Sequence, residues 1–231
     1  MLVDNKKISE IDKPYIIAEL SANHGGNIER AKKSIEIVAK TGVSAVKLQT
    51  YTPDTMTIKS NLPDFRINDG LWAGRTLYDL YSEAYTPFEW HQELFEHAHA
   101  HGITIFSTPF DESAVDLLEG LGAPAYKIAS FEIVDIPLLK YVAKKNKPIF
   151  ISTGMASEAE IEYAVKTVRD ETKADLLLFH CISSYPAATK DSNLNNLLWL
   201  KDKFDVLVGL SDHTTNNIAS LTAIGMGAVA I

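Results

Sequence analysis

Gly209-Leu210-Ser211-Asp212-His213 follows the apolar run Val206-Leu207-Val208, so a serine, an aspartate and a histidine gather where a strand turns into a loop. Other apolar runs end in the same way. Their polar ends are Glu19; Lys47 and Gln49; Ser107 and Thr108; Lys127 and Ser130; Ser152 and Thr153; and His180. A lysine inside an apolar strand is costly unless it meets an anion or an acid. Strand side chains alternate, so Lys47 and Gln49 share a face, as do Ser211 and His213 if the strand extends that far. Two lysines ringed by hydroxyls suit a phosphate or a carboxylate. The competing reading is that each lysine snorkels or pairs with a structural acid. A run of Ser211, Asp212 and His213 is not a hydrolase triad, because that geometry needs nucleophile, base and orienter to meet side chain to side chain.

His213 can bind a divalent metal through neutral imidazole, with Asp212 nearby, or can be a hydrogen-bonded surface residue. His180 is the best internal second ligand, although it sits within a strand run and can simply pack. His91, His97, His99 and His101 crowd one helix, and His97 and His101 are four apart. That spacing can share a metal, but a solvated helix end is the commoner outcome. Cys181 ends an apolar strand, where a buried thiol is usually inert. Trp72, Tyr78, Tyr81 and Tyr85 follow the long loop; the tyrosines read as a packed aromatic helix face, and Arg75, beside Gly74, as a lid residue that can reach a ligand.

Positioning these residues takes strands starting near 15, 45, 103, 125, 148, 176, 206 and 228, each followed by a helical stretch. Helix ends are marked by Asn27 and Gly42, by a capping box at Thr86-Pro87-Phe88-Glu89, by a second at Ser157 and Glu160, and by Thr215 or Asn216. Helices are expected over about 113–118 and 193–202, and residues 51–76 as a long functional loop. Near-continuous apolar strands alternating with helices imply a covered parallel sheet, and eight of them a (β/α)8 TIM barrel. The expected organisation is one barrel domain over 1–231, incomplete at its C-terminal end because the chain stops four residues into the eighth strand. An open seam of unpaired backbone groups is expected there. No Gly-x-Gly-x-x-Gly follows a strand, which weakens a dinucleotide-binding reading.

The 231 residues suit one large domain. A net charge of −8 argues against a nucleic-acid surface, yet local lysines can still set the field of one pocket. No apolar run reaches the roughly 20 residues that span a bilayer, and no signal-peptide core is present. With a single cysteine, Cys181, the expectation is a soluble cytoplasmic protein without an internal disulfide.

Six motifs in chain order carry a resemblance. They are Ala18-Glu19-Leu20-Ser21-Ala22-Asn23-His24, Val46-Lys47-Leu48-Gln49-Thr50, Phe106-Ser107-Thr108-Pro109-Phe110, Tyr126-Lys127-Ile128-Ala129-Ser130, Ile151-Ser152-Thr153-Gly154-Met155 and Gly209-Leu210-Ser211-Asp212-His213. Together the chain resembles the sialic acid synthase family. Gly70-Leu71-Trp72-Ala73-Gly74-Arg75-Thr76-Leu77-Tyr78-Asp79-Leu80-Tyr81 and Cys181-Ile182-Ser183-Ser184-Tyr185-Pro186 are most similar to the pseudaminic acid synthases within it. Sialic and legionaminic acid synthases tend to carry Asn-Glu in place of Ser183-Ser184.

The resemblance implies that phosphoenolpyruvate condenses with the open-chain aldehyde of an N-acetylated amino sugar, giving a nine-carbon 2-keto acid and phosphate. It implies phosphoenolpyruvate contacts at Lys47, Thr108, Lys127, Ser130, Ser152 and Ser211, with Ser183 where relatives place an asparagine. Gln49, Glu132 and Tyr185 would face the sugar, and Glu19 would handle a proton. A divalent metal (manganese, magnesium or cobalt) is implied, with His213 as one ligand. The second family ligand, a histidine in a Glu-Lys-His-Phe-like motif, is expected beyond Ile231. So is an antifreeze-like domain that caps the partner's site in a homodimer. The alternatives are a sialic or legionaminic acid synthase, a Schiff-base aldolase using Lys127 or Lys47, and an inactive shortened product; the chain as given is expected to have little activity.

Overall fold

Seven apolar runs pair side by side in chain order, all parallel, in the computed structural model, which describes residues 1–231 apart from the side chain of Leu71 in the Gly70–Tyr81 motif. The strands are β3 (Ile17–Glu19), β4 (Ala45–Thr50), β5 (Thr104–Pro109), β6 (Tyr126–Ile128), β7 (Ile149–Ser152), β8 (Leu176–Cys181) and β9 (Leu207–Ser211). Parallel neighbours require crossovers, and helices supply them. These are α1 (Ile28–Ala39), α2 (Pro53–Met56), α3 (Leu77–Ala84), α4 (His91–Ala100), α5 (Glu112–Gly120), α6 (Ile136–Ala143), α7 (Glu158–Glu171), α8 (Asn195–Phe204) and α9 (Ile218–Gly225). Among the described residues, no helix is long and apolar enough to cross a membrane.

The seam expected to stay open is closed. Tyr15 N–H donates to Val229 O at 2.8 Å and Ile17 N–H to Ile231 O at 2.8 Å on one side; Leu210 N–H donates to Ala230 O at 3.0 Å on the other. Four residues are enough to bridge β9 to the start of β3, because Tyr15 and Ile17 lie opposite the last residues and use up their backbone groups.

Two apolar layers result from side-chain alternation. Val46, Leu48, Ile105, Tyr126, Ile128, Ile151 and Leu178 face the helices, in one core cluster. Phe106, Phe150 and Phe179 lie in a second cluster, inside the ring. Their rings pack at centroid distances of 5.5 and 5.8 Å, one pair tilted and the other edge-to-face, and floor the barrel. Val3 and Ile8 join that cluster. They belong to an N-terminal hairpin, β1 (Leu2–Val3) and β2 (Lys6–Lys7), that the sequence reading did not assign. Its turn residues Asp4 and Asn5 have φ of 47° and 62°, a conformation these short polar residues tolerate.

Helix starts follow local chemistry. Asn27 accepts from Arg30 N–H at 3.1 Å, Asp111 from Ala114 N–H at 3.0 Å, and Asn216 from Ile218 N–H at 2.9 Å. The Ser157–Glu160 capping box is formed. The one expected at Thr86 is not: a 3-10 turn, Phe88–Trp90, leads into α4, and Thr86 Oγ1 instead meets His24 Nε2 at 3.2 Å. Residues 51–76 contain α2 and two 3-10 turns, Pro63–Phe65 and Gly70–Trp72.

Candidate functional site

The inward parity of the strands carries Glu19, Lys47, Gln49, Thr108, Lys127, Ser152, Cys181 and Ser211 to the C-terminal mouth of the barrel, where parallel barrels hold their sites. Lys127 is 6% exposed. Its Nζ donates to Ser152 Oγ at 2.5 Å and Ile128 O at 2.7 Å, and lies 5.7 Å from the Phe179 ring centroid. Ser152 Oγ continues to Ser211 Oγ at 2.9 Å. Lys47 ion-pairs with Glu19, and its Nζ donates to Thr108 Oγ1 at 3.3 Å. Ser21 ties this edge together, its N–H donating to Glu19 at 3.1 Å and its hydroxyl to Gln49 Oε1 at 3.3 Å.

The phenylalanine floor is what makes these lysines unusual. Burial lowers the Lys127 ammonium to a pKa of about 8, against the opposing pull of Cys181 and Glu132. Burial, and then the charge of Lys127, pull Lys47 well below its ordinary value. Two buried lysines, one ion-paired with Glu19 and both within hydrogen-bond reach of hydroxyls, form a donor set of the kind that suits an anion.

The opposite rim is built on Gly154. Its N–H donates to Ser130 Oγ at 3.2 Å. A Cβ there would lie 2.5 Å from Ser183 Oγ, 2.9 Å from Ser130 Oγ and 3.1 Å from Cys181 O, so only glycine lets these groups approach. Cys181 Sγ lies 3.9 Å from both Ser183 Oγ and His213 Nδ1. Burial pushes the thiol up, but the hydrogen bonds of His213 and Ser130 outweigh it and the net shift is downward. Glu132 is half-buried; burial raises its carboxyl against the pull of Lys127, and Oε2 has no hydrogen-bond partner among the described residues.

His213 donates through Nδ1–H to Ile182 O at 2.8 Å, which fixes the tautomer and leaves the Nε2 lone pair for a metal. Burial lowers its pKa, and the Cys181 and Ile182 contacts more than reverse that. Tyr185 stacks on the imidazole at 4.3 Å between centroids. His213 therefore fits a metal as a single protein ligand. Asp212 is committed elsewhere, to Thr214 N–H at 2.8 Å and to Ser220. His180 is turned outward and donates to Ser192 O at 2.7 Å.

Three further residues depart from the sequence reading. Ser107 faces the helices, bonding Thr50 at 2.6 Å, and Thr153 bonds Phe179 O at 3.1 Å. Thr50 in turn meets His91 Nε2 at 2.8 Å. Arg75 is held by Glu83 at 2.5 Å and Asp79 O at 3.4 Å, and among the described residues it makes no hydrogen bond to the lysines or hydroxyls of the mouth. Sequence reasoning missed Gly154, Ser21 and the phenylalanine floor. Alternation from Lys47 and Lys127 could have found the floor, because Phe106 and Phe150 are their register partners. The His97–His101 pair does gather with Glu36, in the helical layer.

The chain is 47% identical over 216 residues to a pseudaminic acid synthase of Campylobacter jejuni, covering 94% of this chain and 63% of that protein. It is 44% identical over 218 residues to a pseudaminic acid synthase of Helicobacter pylori, covering 94% and 64%. It thus spans less than two thirds of the length of these relatives. The crystal structure of an N-acetylneuraminic acid synthetase from Leptospira borgpetersenii in complex with citrate superposes with a TM-score of 0.89 at 31% identity, over 100% of this chain and 76% of that one. The model of the NeuB family matches residues 34–231. A lysine-lined barrel mouth, a fold shared along the whole chain and a family match over most of it lead to one conclusion: the chain belongs to the NeuB family.

Proposed function

We propose that the barrel mouth binds phosphoenolpyruvate and condenses it with the open-chain aldehyde of an N-acetylated amino sugar. The sugar we favour is a 2,4-diacetamido-2,4,6-trideoxyhexose of altro configuration, and the product is pseudaminic acid. The observation that carries this reading is the buried lysine pair with Thr108, Ser152 and Ser211 around it. Likeness to pseudaminic acid synthases supports the choice of sugar.

In this reading Lys47 and Lys127 neutralise the phosphate and carboxylate of phosphoenolpyruvate. The hydroxyls of Thr108, Ser130, Ser152, Ser183 and Ser211 orient it, in a site the phenylalanine floor keeps dry. Gln49, Glu132 and Tyr185 hold the sugar, and the unpartnered Glu132 oxygen awaits a hydroxyl or amide. C3 of phosphoenolpyruvate bonds to the aldehyde carbon, whose oxygen takes a proton. Water adds to C2 and gives up one proton; the C2–O bond to phosphate then breaks as the new C2 hydroxyl gives its remaining proton to the departing phosphate, leaving the 2-keto group. Glu19, ion-paired with Lys47, would carry one of these protons in this reading. A divalent metal held by His213 would polarise the aldehyde as a Lewis acid.

A homodimer completed by a C-terminal domain, and a cytoplasmic location, belong to the same proposal. Its test is phosphate release from phosphoenolpyruvate with the diacetamido sugar and Mn2+, in a protein carrying this barrel at its relatives' full length. Release with the altro sugar is expected. Release only with N-acetylmannosamine or the legionaminic precursor would move the chain to another branch, and none with any amino sugar would overturn the reading.

A Schiff-base aldolase is favoured by one observation, the depressed pKa of Lys127. Two hydrogen bonds from its Nζ weigh against a free amine nucleophile. Borohydride with pyruvate should leave Lys127 unmodified, whereas an adduct there would support the aldolase.

A further inference from the structure

Helices of this barrel run antiparallel to its strands, so their C-terminal ends lie at the end opposite the candidate active site. Glu36 sits in the last turn of α1, and His97 and His101 at the end of α4. The two helices are already bridged by Lys32 and Glu93 at 2.6 Å. One ligand atom from each of Glu36, His97 and His101 lies within 4.8 Å of the other two. The His rings are 4.4 Å apart between centroids.

The details favour an ion over a simple cluster of polar groups. His101 Nδ1–H donates to His97 O at 2.8 Å, which leaves its Nε2 lone pair free. His97 Nε2 is shielded from water and has no hydrogen-bond partner among the described residues, although Glu36 Oε1 stands 3.7 Å away. An orphaned ring nitrogen facing a carboxylate oxygen is what a metal bonded to both would resolve. Two histidines four apart on one helix, plus a carboxylate from a second element, form a His2Glu donor set of the kind zinc takes with one position left for water. Two helix C-termini add partial negative charge at the same place. Bonds of about 2 Å would need the donors to draw in by roughly an ångström, within the reach of surface rotamers.

We propose that Glu36, His97 and His101 form a divalent-cation site, of zinc-binding type, that staples α1 to α4 at the end of the barrel remote from the candidate active site. It is separate from His213, and stands whether or not the condensing reading is right. Calorimetry with Zn2+ tests it on the His213→Ala chain, which removes the ligand at the mouth. One zinc equivalent should still bind and should raise the melting temperature by several degrees. Adding His101→Ala, at an exposed residue whose loss leaves the fold intact, should weaken binding at least tenfold and abolish the thermal shift. Glu36→Gln should weaken it too, and Co2+ should give visible bands of a four-coordinate site that His101→Ala removes. No zinc bound to His213→Ala, or equal affinity with and without His101, would overturn the proposal.

Discussion

Lys127 destabilises the empty barrel in return for binding. Its ammonium is held at about 8 by burial, against about 10.4 in an unfolded chain. The unfolded state therefore binds the proton more tightly, and the cost is fully present below pH 8 and is relieved as pH rises to the unfolded value. Lys127→Met should raise the stability of the unliganded protein at pH 7 by about 1–3 kcal/mol, an advantage that shrinks toward pH 10. Denaturant melts at both pH values check this. Anion binding runs the other way. In the proposed reading Lys127 attracts phosphoenolpyruvate only when protonated, so affinity should fall as pH climbs above 8, and binding near pH 8 should take up a proton. Calorimetry in buffers of different ionisation enthalpy reads that uptake directly. On the facing rim, Gly154→Ala would press a methyl against Ser183, Ser130 and the Cys181 carbonyl. Roughly tenfold weaker phosphoenolpyruvate binding, about 1.4 kcal/mol, is expected while circular dichroism shows the fold retained.

Closure of the ring rests on a few residues. A Cβ on Gly209 would stand 2.7 Å from both Ala230 O and the Phe179 ring, so Gly209→Ala must push apart β9, the closing segment and the floor. A loss of about 2–3 kcal/mol is expected, seen as a melting temperature lower by roughly 5 °C or more. Most of this layer was legible in the sequence. Apolar runs and capping residues located all seven strands of the sheet and most helices to within a few residues. Local signals failed where tertiary contacts decided the outcome. Thr86 meets His24 rather than capping α4, and the N-terminal hairpin is held by burial of Val3 and Ile8 beneath the barrel. The site divided in the same way. Lys47, Lys127 and Ser152 stand out because charge or hydroxyls interrupt apolar strands. Ser107, Thr153 and His180 look equivalent in the sequence but face away from the mouth or bond the backbone, a matter of register that composition does not carry.

For the molecule as a whole, the apolar packing of the interior and the candidate site lie at opposite ends of the barrel. The bottom is packed by phenylalanines and the hairpin, while the mouth concentrates buried charge, an unpartnered Glu132 oxygen and one histidine ready for a metal. That polarity would let a chain of net charge −8 hold the proposed anionic substrate, with Lys47 and Lys127, when protonated, setting the local field at the mouth. The account stands or falls on that pair. Titration of phosphoenolpyruvate into the protein at pH 7 by calorimetry is its most direct test. One equivalent should bind, and Lys47→Met and Lys127→Met should each weaken it by about thirtyfold or more, the equivalent of losing roughly 2 kcal/mol at a buried charge contact. Failure of phosphoenolpyruvate to bind, or binding unchanged by both substitutions, would contradict it.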